Sequence, residues 1–147
     1  MKEVPWSEDH SERSLEEARY RAAGYRRTRG TVFVDPPSDL ELVAASEIGL
    51  SNLNPLTESG KALAKHYARA RHGPAFWPRP AGSPALVSAL ARASVQGILD
   101  QSTWRNIFRL HGDVCVLEVR CALGFGARWN LPQGAGGCLT FRGFLEP

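Results

Sequence analysis

The chain has 147 residues, which is the usual size of a single domain. Its 43% of apolar and 22% of charged residues exclude a disordered chain, and no apolar run approaches the roughly 20 residues that cross a bilayer. The net charge of +3 is only mildly basic. We therefore predict one intracellular domain over 1–147, with no membrane partner and with a flexible N-terminal stretch over 1–12.

The first part of the chain predicts two helices separated by a short strand. A thin apolar stripe predicts a helix over 14–24, and a run of β-branched and aromatic residues over 31–35, ended by two prolines, predicts the strand. Ser38, followed by Glu41 three residues later, forms a capping box, in which each side chain bonds the backbone of the other residue. The second helix is therefore predicted over 38–48.

The next predicted helix, over 55–72, carries the most unusual charge pattern of the chain. Asn54 is its expected cap and Pro55 its first residue. No acidic residue occurs between Gly60 and Leu99. Four basic side chains lie on one side of the helix at spacings of four, four and three, and we name them the basic ridge: Lys61, Lys65, Arg69 and His72. The ridge fits an acidic protein surface or nucleic-acid phosphates, although such charge runs are also common on solvated helix faces.

A proline-rich segment over 73–84 follows the basic ridge, and it is the place where the domain would divide if the chain formed two units. The segment contains Phe76 and Trp77. Aromatic side chains beside cationic ones are typical anchors of binding interfaces, so we predict that both of these residues contact a partner.

Two further helices are predicted before the pattern changes. Ser83 as the cap and Pro84 at the first helical position predict a helix over 83–98. The segment over 100–112 predicts a shorter helix, because its three large apolar residues fall on one helical side: Trp104, Ile107 and Phe108.

From residue 113 onwards the period of the apolar residues changes from that of a helix to that of a strand. We expect a small antiparallel sheet of about three strands, over 113–123, 124–130 and 138–146. The fold class is therefore α+β, with a helical N-terminal region and one short strand, followed by this sheet in the last third. The last strand has no covering element in the sequence, so its edge offers a contact for a homo-oligomer.

Arginine and aromatic residues alternate along the predicted sheet. Four of them are candidate binding residues, because aromatics stack on unpaired bases while arginines hold phosphates: Arg120, Arg128, Trp129 and Arg142. Asp113, Glu118 and Arg120 also form a loose grouping of two acids and a base, as in the strands of metal-dependent nucleases. An ion pair between Glu118 and Arg120 is the simpler interpretation of that grouping, and we favour it.

The cysteines and the lack of nucleotide-binding motifs limit the chemistry. Cys115, Cys121 and Cys138 are an odd number of thiols, which favours a reducing compartment, the cytoplasm or the nucleus. No close cysteine or histidine pair has zinc spacing, and QGAGG lacks the Lys-Ser/Thr that completes a phosphate-binding loop. We therefore predict no metal and no cofactor.

Three functions remain open. The leading hypothesis is a non-enzymatic binding module that engages an acidic protein surface through the basic ridge, Phe76 and Trp77. The second is an RNA- or DNA-binding protein that uses the helix over 55–72 and the sheet arginines. The third is an enzyme of unrecognised type, with a site on the C-terminal sheet built from five residues: Glu118, Arg120, Arg128, Trp129 and Arg142.

Overall fold

Helices pack against an antiparallel sheet, which confirms the predicted α+β class. The structure is a computed structural model that describes residues 2–6, 15–51, 54–69 and 76–147. In this part of the chain the helices are α1 (Leu15–Ala22), α2 (Asp39–Ser46), α3 (Glu58–Arg69) and α4 (Pro84–Asp100). None of them is long and apolar enough to span a membrane.

The C-terminal sheet has four strands where about three were predicted. Their order in the sheet follows the chain, and all neighbours are antiparallel. The strands are β3 (Ser102–Arg109), β4 (Cys115–Cys121), β5 (Gly126–Asn130) and β6 (Thr140–Leu145), and a separate pair is formed by β1 (Gly49–Ser51) and β2 (Asn54–Thr57). Strand β6 lies at one edge of the sheet, and the homo-oligomer predicted to form there stays a prediction.

The fourth strand arises because the helix predicted over 100–112 is wrong. Residues Ser102–Arg109 pair with β4 as strand β3, and a short 3-10 turn at His111–Asp113 joins the two. Trp104, Ile107 and Phe108 suit one side of a helix equally well. Pairing with β4 gives the backbone N–H and C=O groups of this segment hydrogen-bond partners. The stabilisation from these bonds outweighs the preference of the local sequence for a helix.

The start of α3 also differs from the prediction. Asn54–Thr57 forms strand β2, so the helix begins at Glu58 rather than at Pro55. Ser88 of α4 holds β2 in place, since its Oγ accepts a hydrogen bond from the Thr57 N–H at 3.0 Å and donates one to the Pro55 carbonyl at 3.0 Å. The predicted end of this helix at residue 72 lies outside the described residues.

The starts of α2 and α4 confirm the predicted caps. Ser38 Oγ accepts a hydrogen bond from the Glu41 N–H at 3.2 Å, and Glu41 Oε2 accepts one from the Ser38 N–H at 2.7 Å. Ser83 Oγ accepts the Leu86 N–H at 3.2 Å. These bonds satisfy helix N–H groups that have no partner inside the helix. By contrast, the strand predicted over 31–35 is extended chain with a single bridge, from Thr31 to Phe108.

The core lies between the helices and one face of the sheet. Leu117 and Val119 of β4 and Trp129 of β5 are fully buried in it. Trp129 Nε1 donates a hydrogen bond to the Leu42 carbonyl at 2.9 Å, which ties the sheet to α2. Because side chains alternate along a strand, the even-numbered residues of β4, including Glu118, lie on the opposite face.

Candidate functional site

The face of the sheet opposite the core carries one carboxylate between two guanidinium groups. Glu118 Oε2 accepts a hydrogen bond from Arg120 Nε at 2.8 Å, and Glu118 Oε1 accepts one from Arg128 Nε at 2.6 Å. The Glu118 side chain is 4% exposed, whereas the side chains of Arg120 and Arg128 are 27% and 26% exposed. The carboxylate is therefore shielded while both cations reach solvent, and the ion pair favoured from the sequence is present.

Strand register explains why these three side chains meet. Glu118 lies directly opposite Arg128 of β5, and Arg120 follows it by two residues on the same face of β4. A carboxylate directly across from a cation stabilises the strand pair as well as holding both guanidinium groups in place.

The orientation of Arg120 is fixed by three acceptors. Besides Glu118, its Nη1 donates to the Gly124 carbonyl at 2.6 Å and to the Glu146 carbonyl at 3.0 Å. Gly126 lies opposite Arg120 in β5, and a Cβ there would come 2.9 Å from Arg120 Cγ. Because Gly126 has no side chain, Arg120 can cross over β5 and reach the end of β6.

Arg128 differs from Arg120 because part of its guanidinium group is free. Its Nε binds Glu118, and its Cζ lies over the Phe108 ring, 5.4 Å from the centroid. Its two Nη atoms have no acceptor among the residues that the structure describes. A guanidinium held by a carboxylate and an aromatic face, with free N–H groups, is prearranged to bind an anion bidentately.

These side chains line an open cleft of about 470 Å³, which we name the Glu118 cleft. Its other walls are Trp104 and Pro147. Two cations and one anion leave the cleft with a positive charge, which attracts anionic ligands. A carboxylate has about four lone-pair positions, so Glu118 can still accept a proton or a hydrogen bond while it binds both arginines.

A buried polar network supports the strand beside Glu118. Asn106 of β3 lies opposite Glu118, and its Oδ1 accepts hydrogen bonds from Tyr20 Oη and Thr31 Oγ1, both at 2.7 Å. Asn106 Nδ2 donates to Thr28 Oγ1 at 3.0 Å. Burial raises the pKa of Tyr20 to about 12, so the phenol stays a neutral donor. The network fastens the N-terminal part of the chain to the sheet.

The aromatic residues predicted to bind a partner mostly serve the fold. Trp129 and Trp77 are 0% and 3% exposed, and Trp77 Nε1 donates to Glu146 Oε1 at 3.0 Å. Phe76 is half-buried and stacks on Phe125, with ring centroids 4.1 Å apart. The two tryptophans are therefore covered by the chain itself, and Phe76 is covered in part.

The predicted cations occupy two separate surfaces. Lys61, Lys65 and Arg69 are exposed on α3, and none forms an ion pair with another described residue. His72, the fourth member of the basic ridge, lies outside the described residues. Arg142 is exposed on β6, where its Nη1 donates to Asn130 Oδ1 at 3.0 Å. The structure thus brings Arg120 and Arg128 together with Glu118 and leaves the basic ridge on another element.

Two residues of the site were missed in the sequence, Trp104 and Phe108. Both were assigned to the predicted helix over 100–112, although they lie on β3 facing the arginines of β4 and β5. The large residues of STWRNIFR do not alternate with polar ones, so only the content of β-branched and aromatic residues favoured a strand.

The thiols and the acidic groups add no further cluster to this site. Cys115, Cys121 and Cys138 are all free thiols, and Cys138 is exposed. Across the described ranges, no group of three or more His, Cys, Asp or Glu side chains is placed to hold a metal ion.

A carboxylate between two guanidinium groups on an antiparallel sheet has the hydrogen-bond donors and the positive charge that suit a phosphate group. The chain belongs to the family described as the CdiA C-terminal tRNase toxin domain, whose family model matches residues 48–146. The matched segment is about two thirds of the chain and contains α3, α4 and the whole four-stranded sheet. Comparison with curated proteins and with solved structures gave no match.

Family membership corrects the leading functional hypothesis. The prediction of a non-enzymatic module for protein binding is wrong, because the family is one of tRNase toxin domains. The prediction that the partner is a nucleic acid or a protein holds at that coarse level. That hypothesis depended on the basic ridge, Phe76 and Trp77, and Trp77 is buried in the core.

Proposed function

We propose that this chain is a toxin domain that cleaves tRNA at the Glu118 cleft. The observation that carries the proposal is the carboxylate of Glu118 held between Arg120 and Arg128. All three residues lie inside the segment that matches the tRNase family. Since tRNA is a cytoplasmic molecule, the cytoplasm of a target cell is the proposed place of action.

In the proposed reaction, Glu118 acts as the general base. Its carboxylate accepts the proton of a ribose 2′-hydroxyl, and the 2′ oxygen forms a bond to the adjacent phosphorus. The bond from phosphorus to the 5′ oxygen of the next nucleotide breaks, and that oxygen takes a proton from water. The products carry a 2′,3′-cyclic phosphate and a 5′-hydroxyl.

The arginines act on the phosphate. The free Nη atoms of Arg128 donate hydrogen bonds to the non-bridging oxygens of the phosphate, and these bonds strengthen as charge develops on the phosphoryl group. Arg120 is already bound to Glu118 and to two carbonyl groups, so it keeps the carboxylate in position and adds positive charge. Because these groups are fixed before the RNA binds, little reorganisation is needed during the reaction.

The basic ridge and Arg142 extend the proposed contact with RNA. The three ridge residues that the structure describes are exposed cations that form no ion pair with another described residue, so they are available to bind nucleic-acid phosphates. Helix α3 joins the Glu118 cleft through the end of β6, since His66 Nε2 lies 2.8 Å from Glu146 Oε1 and the Glu146 carbonyl binds Arg120. A folded tRNA is large enough to contact the cleft and the ridge together.

Glu118→Gln tests the proposal, because it keeps the shape of the side chain and removes the base. We expect kcat for cleavage of purified tRNA to fall by about 10²- to 10⁴-fold, while circular dichroism shows a folded protein. Arg128→Lys is expected to weaken cleavage too, since a lysine keeps the charge and loses the two-pronged donor. Gel analysis of the tRNA and chemical analysis of the product ends are the measurements.

Arg109→Ala is the matched control, because Arg109 is an exposed arginine of the same sheet that pairs with Asp113. It should leave kcat unchanged. Full activity in Glu118→Gln would show that the carboxylate is not the general base. Products with a 5′-phosphate would rule out attack by the 2′ oxygen.

A further inference from the structure

Trp104 is a tryptophan that lies outside the hydrophobic core. Trp77 and Trp129 are buried in the core, and Trp6 packs against Tyr20 with ring centroids 6.1 Å apart. Trp104 is half-buried, and among the described residues it has no aromatic neighbour and no acceptor for its indole N–H. A large aromatic side chain that is partly exposed on a strand, with no ring packed on it, is an available stacking surface.

Trp104 lines two cavities. One is the Glu118 cleft, and the other is a cavity of about 640 Å³ at the outer edge of β3, which we name the edge pocket. Arg105 forms one wall of the edge pocket and is held by two bonds to Asp39, at 2.6 and 3.2 Å, and by one to the Leu99 carbonyl at 3.2 Å. The pocket is therefore a fixed, polar surface at the edge of the strand that carries Trp104.

The edge pocket offers both donors and acceptors to a ligand. Ser102 Oγ accepts from Arg105 Nε at 3.1 Å, which leaves its own hydrogen free to donate. The Asp39 carboxylate keeps lone pairs beyond those used by Arg105, so it can accept from an amino or imino group. Arg26 adds an exposed cation at the rim. These donors and acceptors can pair with the edge of a nucleobase, and Trp104 on the same strand can stack on its face.

We infer that Trp104 and the edge pocket form a subsite for one unpaired nucleobase of the RNA, next to the phosphodiester in the Glu118 cleft. The inference rests on the proposed function, which places RNA in that cleft. Trp104 lies opposite Arg120 in the β3–β4 pair, and Arg128 is one strand further and two residues along, about 12 Å away at roughly 4.8 Å per strand and 3.3 Å per residue. A base stacked on Trp104 and a phosphate bound by Arg128 can thus belong to neighbouring nucleotides.

Tryptophan fluorescence tests the subsite without any need for cleavage. The probe is a single-stranded 2′-O-methyl RNA of mixed sequence, which has no 2′-hydroxyl to react. We expect it to quench the fluorescence of the unaltered protein and of the control Trp6→Phe, and to leave Trp104→Phe unquenched. Trp104→Ala should bind the probe roughly 5- to 150-fold more weakly, the range expected for loss of one stacked base. Thermal unfolding of each variant shows that it is folded.

Two outcomes would overturn the subsite. One is equal quenching of Trp104→Phe and the unaltered protein, and the other is unchanged affinity in folded Trp104→Ala. A cleavage assay then separates the two proposals. An abasic nucleotide beside the mapped cut should slow the unaltered protein and have little effect on Trp104→Ala. Failure of the unaltered protein to cleave any tRNA would sink the proposed function, whereas the fluorescence result would still decide the subsite.

Discussion

At the scale of single residues, the contact between Gly126 and Arg120 determines the shape of the Glu118 cleft. Arg120 lies across β5 because the residue opposite it has no side chain, and it reaches the carbonyl groups of Gly124 and Glu146. A Cβ on Gly126 would meet the Val119 carbonyl oxygen as well as Arg120 Cγ. Backbone atoms cannot move aside as a flexible side chain does, so both the strand and the arginine would have to shift.

Gly126→Ala is therefore expected to lower the free energy of unfolding by about 1–3 kcal/mol, the usual cost of overpacking. The control is Gly97→Ala in α4, where a Cβ would meet no atom within 4 Å. That substitution should raise stability by about 1 kcal/mol, because alanine favours a helix. Urea unfolding of both variants gives the comparison, and a Gly126→Ala protein as stable as the parent would contradict the clash.

At the scale of elements, α3 separates its two sides by charge. Leu63 is fully buried against the core, while Lys61, Lys65 and Arg69 are exposed on the outer side. Binding of cations to phosphates releases counterions, which makes affinity depend on salt. If the ridge binds tRNA, its contribution should therefore appear in the salt dependence of binding rather than in the chemical step.

The triple variant Lys61→Ala/Lys65→Ala/Arg69→Ala should bind tRNA more weakly, with a salt slope reduced by about 2–3. Its kcat at saturating tRNA should equal that of the parent. The control removes Arg19, Arg92 and Arg109, three cations that already pair with Asp35, Glu47 and Asp113. Titrations at several salt concentrations measure both slopes, and equal losses in the two triple variants would assign the effect to net charge alone.

Local signals in the sequence were sufficient for some elements and misleading for others. The starts of α2 and α4 were predicted because a cap depends on residues three or four apart. Strand β3 was missed because it is stabilised by pairing with β4, which the local pattern of 100–112 does not encode. The site could be predicted only in part, because it too depends on how distant strands pair. The Glu118–Arg128 pair requires the register of β4 and β5, while Trp129, one residue further, belongs to the core.

At the scale of the whole molecule, two buried tyrosines connect the N-terminal segment to the sheet. Tyr20 Oη donates to either the Arg26 carbonyl or Asn106 Oδ1, each 2.7 Å away, and it accepts the Ile107 N–H at 3.0 Å. Burial raises the pKa of Tyr20 to about 12 and also raises the pKa of Tyr25. The folded state therefore holds these protons to a higher pH than the unfolded chain does.

Stability should consequently be lost in alkali. Below pH 10, the ordinary pKa of tyrosine, both states are protonated and the contribution of Tyr20 is fully present. As pH rises from 10 towards 12, only the unfolded chain loses the proton, so the free energy of unfolding falls by about 1.4 kcal/mol per pH unit. Tyr20→Phe should flatten this decline relative to the control Tyr67→Phe. An identical pH profile for the two variants would show that Tyr20 is not responsible.

Strand β4 alternates residues that pack in the core with residues to which the proposed function assigns the reaction. Leu117 and Val119 face the core, while Glu118 and Arg120 face the cleft. Selection for stable folding would therefore act on other residues of this seven-residue strand than selection for toxicity would. Leu117 and Val119 would tolerate apolar exchanges that preserve volume, whereas an exchange at Glu118 would alter both the proposed site and the ion pair that joins β4 to β5.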